Sequence, residues 1–185
     1  MKTLIQAAAE LQALLQKHNC RFCFIGGIAL QRWGEPRLTV DVDVTLFAGY
    51  GGEKPLARML LSAYASRVPD AEAFALENRV LLLKTEGGIP LDIALAALPF
   101  EDEAIRRASL FSFLPGLSLL TCSAEDLIVM KAFADRPKDW ADVKSVCDRQ
   151  AGALDKAYIL RQLAPLAEAK AAPGILSTLN IFLPG

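Results

Sequence analysis

Two aspartates, Asp41 and Asp43, stand in RLTVDVDVTLF, a stretch that otherwise has the valine-rich alternation of a β-strand. On a strand, successive side chains point to opposite faces. Arg37, Thr39, Asp41 and Asp43 would then share one face, and Leu38, Val40, Val42 and Val44 the other. The valine face reads as core, and the polar face as either ordinary solvent-facing surface or a site. Aspartate is a poor strand former, and like charges on one face repel unless a cation lies between them. Magnesium answers that need, because it prefers hard oxygen ligands and is commonly held by one or two carboxylates completed by water and substrate phosphates.

Gly26 and Gly27 precede this stretch, where FCFI turns into IALQRW. A glycine pair at a strand-to-helix junction lets a phosphate approach backbone N–H groups and a helix N-terminus, or it serves a tight turn. In succession, a glycine pair, a short helix and R-x-T-x-D-x-D would bring a phosphate cradle and a metal site together.

The elements that must position these residues follow from periodicity and chain breakers. LIQAAAELQALLQKH has the spacing of an amphipathic helix, RFCFI that of a short strand, and IALQRW that of a helix. GEPR is a loop leading into the strand LTVDVDVTLF, and GYGGE breaks the chain again. KPLARMLLSAYASRV reads as helix, RVLLLKTE and IPLDIALAAL as strands joined at Gly87 and Gly88, FEDEAIRRAS as helix and FSFLPGLSLLT as extended chain. Ser123 with Asp126 has the form of a helix cap opening AEDLIVMKAFAD, and further helices follow, interrupted at Pro137 and Gly152. The order is mixed α/β first and helical last, which predicts a core over residues 1–120 and a helical region over 121–185 packed on it as one compact unit.

At 185 residues and 53% apolar content, the chain is long enough to bury a full core. Lysine plus arginine (20) nearly balances aspartate plus glutamate (21), and the net charge of −1 argues against a broad basic surface for nucleic acid phosphates, though not against a local patch. The N-terminus has one early lysine, Lys2, but no long apolar core before Glu10, and no segment approaches the ~18 uninterrupted apolar residues of a membrane span. A soluble cytoplasmic protein is expected. Cys20 and Cys23 have the spacing of half a zinc site or a redox motif, but His18, Cys122 and Cys147 supply no recognisable second half, so free thiols are expected.

IGGIAL followed by RLTVDVDV resembles the motif of nucleotidyltransferases related to DNA polymerase β, and more narrowly that of the AbiEii-like abortive-infection nucleotidyltransferases and their minimal relatives. The resemblance runs over residues 20–147. It implies an α/β (α+β) nucleotidyltransferase fold: a small mixed sheet flanked by helices, with a C-terminal helical segment. Gly27 stands where part of the family has serine, so it offers only its backbone to a phosphate. The family also implies a third carboxylate on a neighbouring strand. Asp92 is the candidate, being the one charge between Gly87 and Phe100; a buried carboxylate there would need a metal, a proton or a partner. In the implied mechanism Asp41 and Asp43 hold Mg²⁺ (or Mn²⁺) against the triphosphate of an NTP. Asp92 helps bind a second metal and acts as general base on an acceptor hydroxyl.

Lys131 lies in LIVMKAFA, a segment apolar almost all round and so predicted to be buried. Its charge would meet the triphosphate, as the resemblance implies, or snorkel to solvent. RPKDWAD also resembles a family segment, in which Asp139 and Asp142 would position Lys131 or cap the next helix. Arg37 would reach phosphate or pair with Glu35. The resemblance implies a transferase of the EC 2.7.7 class, as a toxin acting on tRNA with a cognate antitoxin or as an enzyme modifying a small molecule such as an antibiotic. A non-catalytic nucleotide-binding regulator or antitoxin of the same fold would be marked by loss of a metal carboxylate, and all three are present.

Overall fold

A computed structural model describes residues 3–183; Lys2, the early lysine of the N-terminal reading, lies outside them. The chain forms two compact units, one running through Ile28 and resuming over Leu38–Cys122, the other made of Ala29–Arg37 and the residues from Ser123 onward.

The first unit opens with α1 (Leu4–Lys17), begun by a reciprocal cap in which Thr3 N–H donates to Gln6 Oε1 (2.8 Å) and Gln6 N–H to the Thr3 hydroxyl (3.3 Å). Its apolar stripe, Ala7, Ala8, Leu11 and Leu15, is buried. β1 (Phe22–Phe24) leads into α2 (Gly26–Trp33), whose last residues belong to the second unit. β2 (Val42–Phe47), α3 (Glu53–Ala63), β3 (Ala65–Ser66), α4 (Ala71–Asn78), β4 (Val80–Lys84), β5 (Pro90–Ala96), α5 (Pro99–Arg106), β6 (Ser109–Leu114) and β7 (Leu117–Thr121) follow. Among the described residues the strands make one mixed seven-stranded sheet in the order β3-β4-β5-β2-β1-β7-β6. β2 is parallel to β5 and antiparallel to β1. Phe24, Val42, Val44, Leu46, Leu81, Leu83, Leu91 and Ile93 form the centre of the core with Leu11 and Leu60, each such side chain contributing ~1.5–3 kcal/mol on burial.

Three local expectations change. The strand begins only at Val42, because pairing with β5 starts at Val42↔Leu91 and residues 35–41 have no partner strand. Val42 and Val44 are therefore buried, whereas Leu38 and Val40, predicted as core, are 86% and 65% exposed. The helix expected over KPLARMLLSAYASRV ends at Ala63; Tyr64 is extended (φ −133°, ψ 145°), and Ala65–Ser66 pair with Leu83 and Lys84 at the sheet edge. FSFLPGLSLLT is a hairpin of β6 and β7 turning at Gly116, where φ is +74°.

In the second unit, α6 (Ala124–Ala134) is capped by Ser123, whose hydroxyl accepts from Asp126 N–H at 3.1 Å. It is buried nearly all round, through Leu127, Ile128, Val129 and Ala132. α7 (Pro137–Gln150) starts on Pro137, whose missing N–H costs a first turn nothing. α8 (Lys156–Ala169) and α9 (Gly174–Phe182) complete the unit, with Ile159, Leu163, Ile175 and Leu179 buried. Among the described residues no helix is long and apolar enough to cross a membrane. Cys20, Cys23, Cys122 and Cys147 are thiols outside any disulfide, and burial pushes the Cys147 thiol up to about 11.

Candidate active site

The parallel register of β2 and β5 sets Asp43 beside Asp92. Because their neighbours Val42, Val44, Leu91 and Ile93 all turn into the core, the two aspartates share the sheet's other face. Asp41 stands one residue before β2. One carboxylate oxygen from each of Asp41, Asp43 and Asp92 lies within 4.8 Å of the others, and all three residues are half-buried. The Thr39 hydroxyl donates to Asp41 Oδ1 at 2.9 Å and so orients that carboxylate.

Gly26 and Gly27 belong to the same cluster for a reason the sequence does not display. A Cβ at Gly26 would overlap the Asp43 carboxylate, and one at Gly27 would overlap the Thr39 side chain. Gly26 also has φ +56°. The pair therefore provides bare backbone against which Asp43 and Thr39 lie, and the Ile25 N–H just ahead donates to the Asp43 carbonyl at 3.0 Å.

Asp92 has a protein partner, Arg67, which follows β3 directly and whose guanidinium forms an ion pair with it. Burial pushes the Asp92 carboxyl up, the guanidinium pulls it back, and the charge of Asp41 pushes it up again, leaving it above the ordinary aspartate value. Arg67 is the residue that reading the sequence misses. Its segment continues a helical pattern, and the one signal against helix is Pro69, which disfavours helical backbone at Val68.

Arg37 and Lys131 belong to the second unit and meet there. Arg37 donates through Nε and Nη2 to Asp142 Oδ1 (2.9 Å) and Oδ2 (2.8 Å), a two-pronged pairing. Lys131 does not snorkel: it is buried, with Nζ 2.9 Å from Asp139 Oδ1 and 2.8 Å from Asp142 Oδ2. Arg136 also pairs with Asp139. Burial raises both carboxyls, but hydrogen bonds and charge from Arg136 and Lys131 on Asp139, and from Arg37 and Lys131 on Asp142, more than offset it and hold both below the usual range.

The donor set of Asp41, Asp43 and Asp92 suits a hard divalent cation: it is all oxygen, with no thiolate or imidazole that would favour zinc. Three ionised carboxylates this close are also a concentration of negative charge that a divalent ion relieves.

A mixed sheet carrying this cluster on adjacent parallel strands defines the nucleotidyltransferase fold. The chain belongs to the family described as nucleotidyl transferase AbiEii toxin, type IV toxin–antitoxin system, whose model matches residues 11–178. Among solved structures, an antigenic nucleotidyltransferase-like protein from Paracoccidioides brasiliensis is similar at 18% identity and TM-score 0.56, covering 98% of this chain and 94% of its own. The antibiotic-resistance factor ANT(2'')-Ia in solution is similar at 19% identity and TM-score 0.56, covering 91% and 93%. Its complex with adenylyl-2''-tobramycin is similar at 16% identity and TM-score 0.57, covering 91% and 99%. No curated protein matches.

Proposed function

We propose that this nucleotidyltransferase moves a nucleoside monophosphate from an NTP to an acceptor hydroxyl with release of pyrophosphate, in the cytoplasm and with Mg²⁺ as the metal. The observation that carries the reading is the approach of carboxylate oxygens of Asp41, just ahead of β2, and of Asp43 and Asp92 on neighbouring strands within 4.8 Å of one another. A divalent cation bound by these carboxylates would neutralise developing phosphate charge. Thr39 keeps Asp41 oriented, and Gly26 and Gly27 leave the backbone open to phosphate oxygens. Asp92 takes the proton of the acceptor hydroxyl while its oxygen forms the new bond to the α-phosphorus and the bond to pyrophosphate breaks. The raised position of the Asp92 carboxyl suits a proton acceptor, and Arg67 keeps it ionised. Arg37 and Lys131 serve the phosphates, with Asp139 and Asp142 fixing the lysine.

Membership of a toxin family favours a macromolecular acceptor, the 3′ end of tRNA, and a cognate antitoxin. The net charge of −1 favours the second reading, a small hydroxylated acceptor such as an antibiotic. Incubation with each α-labelled NTP, Mg²⁺ and either total cellular RNA or a panel of hydroxylated antibiotics separates them by which acceptor takes up label. Silence with every acceptor would favour a non-catalytic nucleotide-binding regulator.

A further inference from the structure

Arg67 is held at three points. Its backbone N–H donates to the Leu82 carbonyl (2.9 Å), its Nε to the Leu83 carbonyl (2.8 Å), and its Nη2 to Asp92 Oδ1. A guanidinium anchored through Nε presents its remaining donors in a fixed direction, which an ammonium on a flexible stem does not. The side chains of Arg67 and Asp92 are 30% and 33% exposed, so the pair is open to exchange with ions from solvent.

Ionised Asp41, Asp43 and Asp92 carry three negative charges, of which Arg67 neutralises one. A single divalent ion balances the remaining two. A second ion would have to displace Arg67 from Asp92, and the charge to support both appears only with a triphosphate. We infer that Arg67 is a resident counter-cation that occupies Asp92 in the nucleotide-free protein, leaving ion binding to Asp41 and Asp43 and making metal engagement of Asp92 conditional on nucleotide. This inference rests on the reading of the three carboxylates as a metal site. It makes Arg67 a positioning residue: it acts through Asp92 rather than on the reacting atoms.

The test is titration of the full nucleotide-free chain with Mn²⁺, free ion being read by electron paramagnetic resonance. Arg67→Gln should bind Mn²⁺ at least about fivefold more tightly, or take up a second ion, on the scale of a partly exposed charge-assisted contact. Arg67→Lys, which keeps the charge but not the anchor through Nε, should gain less than Arg67→Gln, and adding Asp92→Asn to Arg67→Gln, which removes the pair together, should remove the gain. An Arg67→Gln isotherm superimposed on wild type, or a gain in Arg67→Gln that persists when Asp92→Asn is added, would overturn the inference. Loss of Mn²⁺ binding in Asp41→Asn with Asp43→Asn would at the same time leave the metal-site reading standing. If that double variant binds Mn²⁺ like wild type, the metal-site reading fails and the role of Arg67 fails with it.

Discussion

Gly26 and Asp43 compete for one small volume: the Asp43 carboxylate lies where a Cβ on residue 26 would be, and Gly26 holds φ at +56°. An alanine there meets two penalties, the left-handed backbone at ~1–2 kcal/mol and displacement of the carboxylate. Gly26→Ala should lower Tm by roughly 2–8 °C for a chain of this size. It should also blunt any stabilisation by Mg²⁺ and NTP, because Asp43 can no longer occupy its position. Differential scanning calorimetry with and without ligands reads both effects, and a variant with wild-type Tm and ligand response would show that the backbone has room for a side chain.

Ligands that bind only the folded state stabilise it by mass action, by about 2.7 kcal/mol at a concentration one hundred times Kd. Mg²⁺ together with an NTP should therefore raise Tm, and Asp41→Asn with Asp43→Asn should abolish the shift. Both substitutions conserve side-chain size and remove a like-charge repulsion, so the ligand-free double variant should be at least as stable as wild type. A normal ligand response in the double variant would place the metal and nucleotide elsewhere.

What the sequence discloses divides along the range of the interactions. α1, α2, β4, β5, α5 and α6 follow from periodicity and caps, because Thr3, Ser123 and the apolar stripes act within a few residues of themselves. The grouping of Asp41, Asp43 and Asp92 was legible only through the motif and its family resemblance, since the register that sets Asp43 beside Asp92 joins strands far apart in sequence. Alternation alone misplaced Leu38 and Val40, because a pattern of period two does not say where a partner strand begins. Arg67 was invisible for the same reason: its meaning comes from β3 pairing with β4 and from Asp92, neither of which leaves a local trace.

The buried lysine and acids of the second unit make a prediction about acid. Asp139 and Asp142 have folded-state carboxyls held below the ordinary value, so the unfolded chain binds more protons than the folded one between the two values. Their contribution is fully present above the ordinary carboxylate range and is lost as pH falls below about 4. Lys131→Met should destabilise at neutral pH, by less than the roughly 3–5 kcal/mol of a fully broken buried pair, because Arg136 and Arg37 remain on the two acids. It should also flatten the acid limb, since the removed lysine helps depress both carboxyls. Denaturant unfolding of both proteins at pH 7 and at about pH 3 gives the comparison, and an equal loss on acidification in the two would mean that Lys131 does not set these acids' affinity for protons.

Asp92 differs in kind from Asp41 and Asp43, because it faces the acceptor in the proposed reaction and because Arg67, not only a metal, answers its charge. If Asp92 mainly receives the acceptor proton, Asp92→Asn should keep most NTP affinity, since Asp41, Asp43 and the bare backbone at Gly26 and Gly27 remain in place. Transfer should nevertheless fall by roughly 10²–10⁴, the usual worth of a general base, and further if a metal ligand is lost as well. NTP binding by calorimetry beside single-turnover transfer of α-label separates the two quantities. Weakened binding with an unchanged transfer step would make Asp92 a nucleotide-holding residue instead, and wild-type behaviour in both would remove it from the active site.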